Sequence, residues 1–492
     1  MYAIGHTGKL LPGWPKRLPL VPSCPQDPTV QAIGPCMDPG HKWSRGAGAS
    51  PVLADFDHDG KPEVVQAAFD GNVYVWKADG TLLPGWPVMV HSKHSNAYNR
   101  IVSTPAVADF NGDGVQDIVI GSNEEVGGGG GSGNYFLIDG RGRNTPGGSA
   151  YFPNWPVVIT SLQLFPLVAE GTDSAPAIAD FTGGGHPEVL VQGNAAPPYV
   201  FPADPGRQAN LFSDPPNRLP VYHTDAGTQV GFDPTAIFGP GTKASTPDTF
   251  FPMFSHPAIG DVDEDGVPDV IMSGGSLSLA GSLASQASGA NTKAQQLLAM
   301  FSGATGHMTY GSPMPLEDFT FLVNQTIADI SGDGYPEVIV GTGGYFMHAL
   351  DACGCEAQNW PKFTNSWIIA TTAVGDITGD HGIEVVGGTR DGNLYAWHTK
   401  GKDTGVIQWE SFHHDNANTG NYMLKLDQGV LRTTTSPLDC TQDCAAQKTP
   451  GNTTYTAGGG CGVSAAGERN AAFGFALVLG LSGILAHRRR RR

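Results

Sequence analysis

Asp55-Phe56-Asp57-His58-Asp59-Gly60-Lys61-Pro62-Glu63, running straight into Val64-Val65, joins an acidic turn to a β-branched strand. The chain writes this sentence six times. Further copies open at Asp109 (DFNGDGVQD), Asp180 (DFTGGGHPE), Asp261 (DVDEDGVPD), Asp329 (DISGDGYPE) and Asp376 (DITGDHGIE). Side-chain oxygens at positions 1, 3, 5 and 9, a backbone carbonyl at 7 and a glycine at 6 for the sharp turn can wrap a hard cation. Mg²⁺ demands a tighter octahedron and keeps its waters, so Ca²⁺ is the ion expected. An EF-hand closes with Glu at position 12 and lies between helices, whereas these loops end at position 9 and enter strands such as Ile118-Val119-Ile120. Asp, Asn and Gly also make turns without any metal. Six copies in one frame, each gathering mutually repelling acids, go beyond what a turn requires.

The copies differ in their oxygen count. The first and fourth hold carboxylates at all four positions: Asp55, Asp57, Asp59 and Glu63, and Asp261, Asp263, Asp265 and Asp269. The second and fifth carry one neutral oxygen each, giving Asp109, Asn111, Asp113 and Asp117, and Asp329, Ser331, Asp333 and Glu337. The third loses charge through Thr182 and Gly184, and the sixth through Thr378, with His381 in the glycine position. Four competent sites and two degraded ones are therefore expected.

Composition agrees with a turn-dense, all-β globule: 68 Gly and 38 Pro in 492 residues, 15% charged and 40% apolar. A formal net charge of −18 argues against nucleic acid, whose phosphates require Lys and Arg. The seven cysteines read as sequence-local pairs in loops, Cys24 with Cys36, Cys353 with Cys355 and Cys440 with Cys444, with Cys461 left over. Such pairs suit an oxidising compartment; a zinc site at Cys353 and Cys355 is the competing reading.

Motif starts are separated by 47 to 81 residues, the length of a small sheet with variable loops. A fuller unit runs Ser-x-Pro-Ala-x-Ala-Asp, acidic loop, strand, Tyr-φ-Trp, then Leu-Pro-Gly-Trp-Pro. It opens at Ser50, Ser103, Ser174 and Ser255, and closes at Trp86, Trp155, Trp360 and Trp409. One such sheet cannot bury both faces alone, so neighbours must stack, and a ring needs no capping repeats. Residues 2–15 (YAIGHTGKLLPGWP) align without a gap on residues 74–87 (YVWKADGTLLPGWP), so the sequence opens in mid-repeat. A start missing upstream of Met1, or closure of the ring by pairing this half-unit with residues 405–412, would each account for that. Six units and a half predict a β-propeller of about seven four-stranded blades over residues 1–430.

Residues 431–460 read as a Thr/Pro/Gly-rich tether. Residues 461–492 hold Cys461, a short apolar helix at 471–486 and five terminal arginines, an expected membrane attachment. The acidic loops with their Ser-x-Pro-Ala-x-Ala-Asp lead-ins resemble FG-GAP or VCBS-type repeats, the kind found in the propeller of integrin α chains. That resemblance implies Ca²⁺ in loops on one rim, carried by the sixteen residues named for the four competent copies. Cys461-Gly, the apolar stretch and the arginines look like the MYXO-CTERM sorting signal, which implies processing near Cys461 and display at the cell surface. No basic and apolar leader follows Met1, in tension with export.

The function expected is a non-enzymatic, Ca²⁺-stabilised surface module that binds another protein or a glycan through rim loops. A polysaccharide-lyase-like propeller, or the non-catalytic part of a larger secreted enzyme, is the alternative; a plain spacer is the third. No Gly-x-Ser-x-Gly or His-Glu-x-x-His motif is present. His413-His414-Asp415 reads as a solvated turn at ring closure, and residues 127–131 and 224–250 as slack in the loops.

Overall fold

The computed structural model describes residues 1–20, 46–90, 98–122, 124–126, 133–159, 174–192, 198–204, 222–224, 250–251, 255–276, 296–304, 306, 308–309, 311–320, 323–434, 436–440 and 444. Cys24, Cys36, Cys461, residues 127–131, nearly all of 224–250 and the apolar stretch 471–486 lie outside them. Among the described residues no helix is long and apolar enough to cross a membrane.

Each acidic loop is the first connection of an antiparallel sheet, because glycine-rich turns separate short runs of Val, Ile and Ala that pair with their chain neighbours. Blade 1 is Val52–Ala54, Glu63–Ala67, Asn72–Trp76 and Val88–Met89. Blade 2 is Ala106–Ala108, Asp117–Gly121, Gly133–Ile138 and Val157–Ile159, with Tyr222–Thr224 added outside. Blade 3 is Ala177–Ala179, Glu188–Val191 and Tyr199–Phe201. Blade 4 is Ala258–Gly260, Asp269–Ser276, Gln296–Phe301 and Met314–Leu316, with Phe250–Phe251 on Asp269–Ser276. Blade 5 is Thr326–Ala328, Glu337–Gly341, Phe346–Leu350 and Lys362–Phe363; blade 6 is Ala373–Gly375, Gly382–Gly388 and Leu394–Lys402.

The chain is an all-β propeller. Innermost strands of blades 2 to 6 lie side by side in chain order. Aliphatic side chains fill the spaces between blades: Val65, Val75, Ile118 and Ile138 between the first two, and Val119, Leu137, Ile178 and Val189 between the next two. Blades 3, 4 and 5 share one cluster, and Ile339, Met347, Ile383 and Val385 join blades 5 and 6.

A Trp-Pro turn, written Leu-Pro-Gly-Trp-Pro at 11–15 and 83–87 and varied at 152–156 and 357–361, follows the half-unit and blades 1, 2 and 5. Trp86 Nε1 donates to Gly140 O of blade 2 at 3.1 Å, and Trp155 Nε1 to Ala203 O beyond blade 3 at 2.8 Å. The loop can lie this close because its glycine has no side chain: a Cβ on Gly85 would stand 2.1 Å from Arg141 O. Residues 1–18 repeat the arrangement, with Trp14 Nε1 donating to Ala78 O at 3.0 Å and Trp14 packed on Trp76. This half-unit, the seventh counted in the sequence, forms an Ile4–Leu10 bridge rather than a sheet, so the described residues make six blade sheets, beside a separate two-stranded pair of Tyr98–Arg100 with Glu124–Val126.

Ring closure differs from the expectation. Ile407–Trp409 pairs with Thr326–Ala328 of blade 5 and not with the N-terminal half-unit, which places Trp409 on the axis rather than at a blade's outer end. From there residues 406–422 pass the innermost strand of every blade. Backbone bonds join Asp329 N to Val406 O at 2.9 Å, Val374 N to Glu410 O at 2.8 Å and Leu53 N to Ala417 O at 2.9 Å. Val107 N reaches Thr419 O at 3.0 Å and Ile178 N reaches Gly420 O at 2.7 Å. Gln408 Nε2 donates to Asp261 O of blade 4 at 3.2 Å. His413 and His414 are accordingly buried rather than solvated: His413 Nε2 lies 2.7 Å from Pro176 O, and Asp415 Oδ2 accepts from Thr419 Oγ1 at 2.6 Å.

The cysteine pairing is also corrected. Cys353 bonds Cys440 and Cys355 bonds Cys444, across 87 and 89 residues, leaving neither thiolate for a zinc ion. Closeness in sequence misled because the chain after the last blade folds back over blades 4 and 5. Leu438 N donates to Asp263 O at 2.8 Å and Tyr335 Oη to Ser436 O at 3.1 Å.

Candidate metal centres

The six loops share one hydrogen-bond frame, which follows from their common spacing. The position-9 carboxylate reaches back to the backbone N–H of position 2: Phe56 to Glu63 at 2.8 Å, Phe110 to Asp117 at 3.0 Å, Phe181 to Glu188 at 2.8 Å. Val262 to Asp269 at 2.9 Å, Ile330 to Glu337 at 2.8 Å and Ile377 to Glu384 at 3.1 Å complete the set. The position-1 Asp accepts the N–H of position 6 in every copy, from Gly60 at 3.0 Å to His381 at 2.9 Å. Position 5 caps position 7 where an Asp is present, as Asp59 does for Lys61 at 2.8 Å.

This frame holds the position-9 acids out of water, together with Asp261 and Asp329 at position 1, while the position-5 acids stay exposed. Burial pushes Asp117 up to about 8 and Asp261 up to about 6, and holds Asp269 and Glu337 well above the usual carboxylate range. A divalent cation among them would favour the ionised forms.

The six frames are not equivalent at one atom. In loops 1 and 4 the second oxygen of position 1, Oδ1 of Asp55 and of Asp261, is buried without a hydrogen-bond partner. In loops 2, 5 and 6 the corresponding oxygen accepts the N–H groups of positions 4 and 5: Gly112 at 2.7 Å and Asp113 at 3.2 Å, Gly332 at 2.6 Å and Asp333 at 3.2 Å, Gly379 at 2.6 Å and Asp380 at 3.3 Å. Asp180 Oδ1 in loop 3 accepts from Gly184 at 2.9 Å. A glycine stands at position 4 in those four loops; His58 and Glu264 stand there in the other two, both with φ of 59°. Buried polar atoms are ordinarily satisfied, so a bare carboxylate oxygen beside further carboxylates fits a hard cation.

Of the sixteen residues read from sequence, the structure brings Asp55, Asp57 and Glu63 together, then Asp261, Asp263 and Asp265, and Asp329, Asp333 and Glu337. Ligand atoms within each group lie within 4.8 Å of one another. Loop 2 gathers no such group of carboxylates among the described residues: Asp113 turns to the Arg141 guanidinium. Loop 1 has a comparable partner in Lys77, whose ammonium meets Asp57. Glu264 was not singled out by the repeat pattern. It is fully buried, forms an ion pair with Arg432 at 3.1 Å, and is pushed up to about 8 by burial and by Asp261. Sequence gave no sign of it, because its Arg432 lies 168 residues later. Where an ion sits, Asp55, Asp57 and Glu63, or Asp261, Asp263 and Asp265, would hold it, and its charge would replace repulsion with a cross-link.

Residues 55–120 match the family model for FG-GAP-like repeats, a span that opens on the first acidic loop and ends in the strand after the second. No curated protein matches the chain. Among solved structures, the chain is similar to BBS1N in complex with ARL6DN, soaked with lead, at 11% identity and TM-score 0.37, over 74% of this chain and 86% of that one. It is similar to the Pseudomonas aeruginosa PilY1 C-terminal domain at 14% identity and TM-score 0.34, over 76% and 72%. A third is the Dos1 propeller, at 12% identity and TM-score 0.36, over 73% and 74%.

Proposed function

We propose that this chain is a Ca²⁺-stabilised propeller that works without catalysis, outside the cell, as a binding module for a protein or glycan. The bare, buried Oδ1 atoms of Asp55 and Asp261 are the observation that carries the reading. Each has lost its water and gained no donor, an arrangement that a bound cation would relieve. Loops 1 and 4 are the strongest sites, loop 5 is third, and Arg141 and the backbone already satisfy loop 2. Extracellular Ca²⁺ sites work at Kd of about 10⁻⁴ to 10⁻³ M. Partner binding falls to the loops that the ions stiffen, and attachment at the surface to residues 461–492.

Calorimetric Ca²⁺ titration and thermal melting, with and without chelator, test this. At a free Ca²⁺ of about a hundred times Kd the native state gains about 2.7 kcal/mol per site. Asp261→Asn should remove one site's share and leave the apo melting temperature unchanged or raised, since it deletes a buried charge. Titration without heat and a melt indifferent to chelator would end the proposal. With Ca²⁺ bound, the same protein is then to be screened against glycans and surface proteins for the partner.

A further inference from the structure

We propose that loop 6, the copy in which a histidine takes the glycine position, is a site for a borderline transition ion of the Zn²⁺ class, held by Asp376, His381 and Asp403. In blades 1 to 5 the strand after the loop begins at or after position 9. In blade 6 it begins at Gly382, position 7, and pairs with Lys402 through a register shift between Gly382 and Glu384. This longer hairpin carries Asp403 alongside the loop, where its N–H donates to His381 O at 3.3 Å.

The donor set differs from every other loop. Two groups among the described residues bring carboxylate and imidazole ligand atoms all within 4.8 Å of one another, Asp376 with His381 and Asp403, and Asp380 with Glu384 and His398. Both belong to blade 6. His381 Nδ1 lies 2.9 Å from Asp403 Oδ2, while Asp403 Oδ1 is buried with no hydrogen-bond partner. A carboxylate with one oxygen on an imidazole and the other bare is an incomplete set of contacts, and a metal ion completes it. Ca²⁺ selects oxygen ligands, whereas an imidazole with two carboxylates suits Zn²⁺, Co²⁺ or Ni²⁺.

The second triad is built on the same hairpin. Glu384 is buried, accepts Ile377 N–H, and lies 2.6 Å from His398 Nδ1. That imidazole lies against Gly382 at position 7, where a Cβ would stand 2.5 Å from its Cε1. His381 and Asp403 anchor the site, because the bare oxygen is Asp403's; Asp376, whose oxygens already accept backbone N–H groups, stands within 4.8 Å of both.

The assignment is independent of Ca²⁺ in loops 1 and 4, and the test keeps the two apart. The full chain, saturated with Ca²⁺, is titrated with Zn²⁺ by calorimetry, and with Co²⁺ while its visible absorption is followed. One equivalent that Ca²⁺ does not displace is expected, weakened about ten-fold or more in Asp403→Asn and in His381→Gln. Asp391→Asn, in the same hairpin but outside the group, should bind as the parent does. Metal-free melting of each variant at the parent temperature excludes misfolding. Zn²⁺ uptake that ignores both substitutions, that yields to Ca²⁺, or that depends on His398→Gln alone would overturn the proposal.

Discussion

His348 shows how one residue can depart from its ordinary chemistry for reasons the repeat does not encode. Its Nδ1 lies 2.8 Å from Glu356 Oε2 and its Nε2 2.9 Å from Glu317 Oε2, on the third strand of blade 5. Burial alone would lower its pKa. Hydrogen bonds to the two carboxylates outweigh burial and raise it to about 10. A group with a raised folded pKa contributes stability that is fully present below its unfolded value and is lost as pH climbs through the folded one. From about pH 6.5 to about 10 the protein should therefore lose stability that His348→Gln never had. Urea midpoints taken at intervals across that range should fall more steeply for the parent than for the variant; equal slopes would show that the carboxylates do not hold the proton. The loop acids were legible in the sequence because they recur in register. Glu264 and His348 were not, since their partners come from other elements and no spacing announces them.

Elements were legible wherever local chemistry sufficed. The alternation of acidic turn and Val/Ile run predicts each blade's first two strands, and the six sheets follow it. The cysteine bridges and the axial run of residues 406–422 escaped, because both depend on how finished blades pack, a relation between distant elements. Between those extremes stands the Leu-Pro-Gly-Trp-Pro element, whose repetition was plain and whose role was not. Its tryptophan joins blades: Trp155, in the variant copy Phe152-Pro153-Asn154-Trp155-Pro156, is fully buried, packs edge-on against Phe201 and donates to Ala203 O at 2.8 Å. Trp155→Ala removes that packing and leaves a cavity between blades 2 and 3, at a cost of about 3 to 5 kcal/mol. Trp14→Ala, at the half-unit, should cost clearly less, because Trp14 belongs to a small cluster with Leu18, Ala68, Tyr74 and Trp76 rather than to an interface between two sheets. Chemical denaturation of both variants checks the order, and a larger loss at Trp14 would contradict it.

On the scale of the whole molecule, a ring of similar blades held only by neighbours would unfold piecemeal, as repeat arrays can. This propeller has a common element instead. Residues 406–422 bond the innermost strand of each blade in turn, so an opening at one blade must break contacts with a segment that serves the rest. Asn421 is a sensitive point on that path: it is buried, its Nδ2 donates to Val107 O of blade 2 at 3.1 Å and its Oδ1 accepts Met423 N–H at 3.0 Å. Asn421→Ala strands the Val107 carbonyl, a loss of about 1 to 3 kcal/mol. If the axial segment couples the blades, amide exchange in the variant should quicken together at Leu53, Val107, Ile178, Asp329 and Val374, whose N–H groups bond this segment or its start. Quickening confined to Val107 and Ile178 would mean that blades open singly, and that the axis is a filler rather than a coupling element.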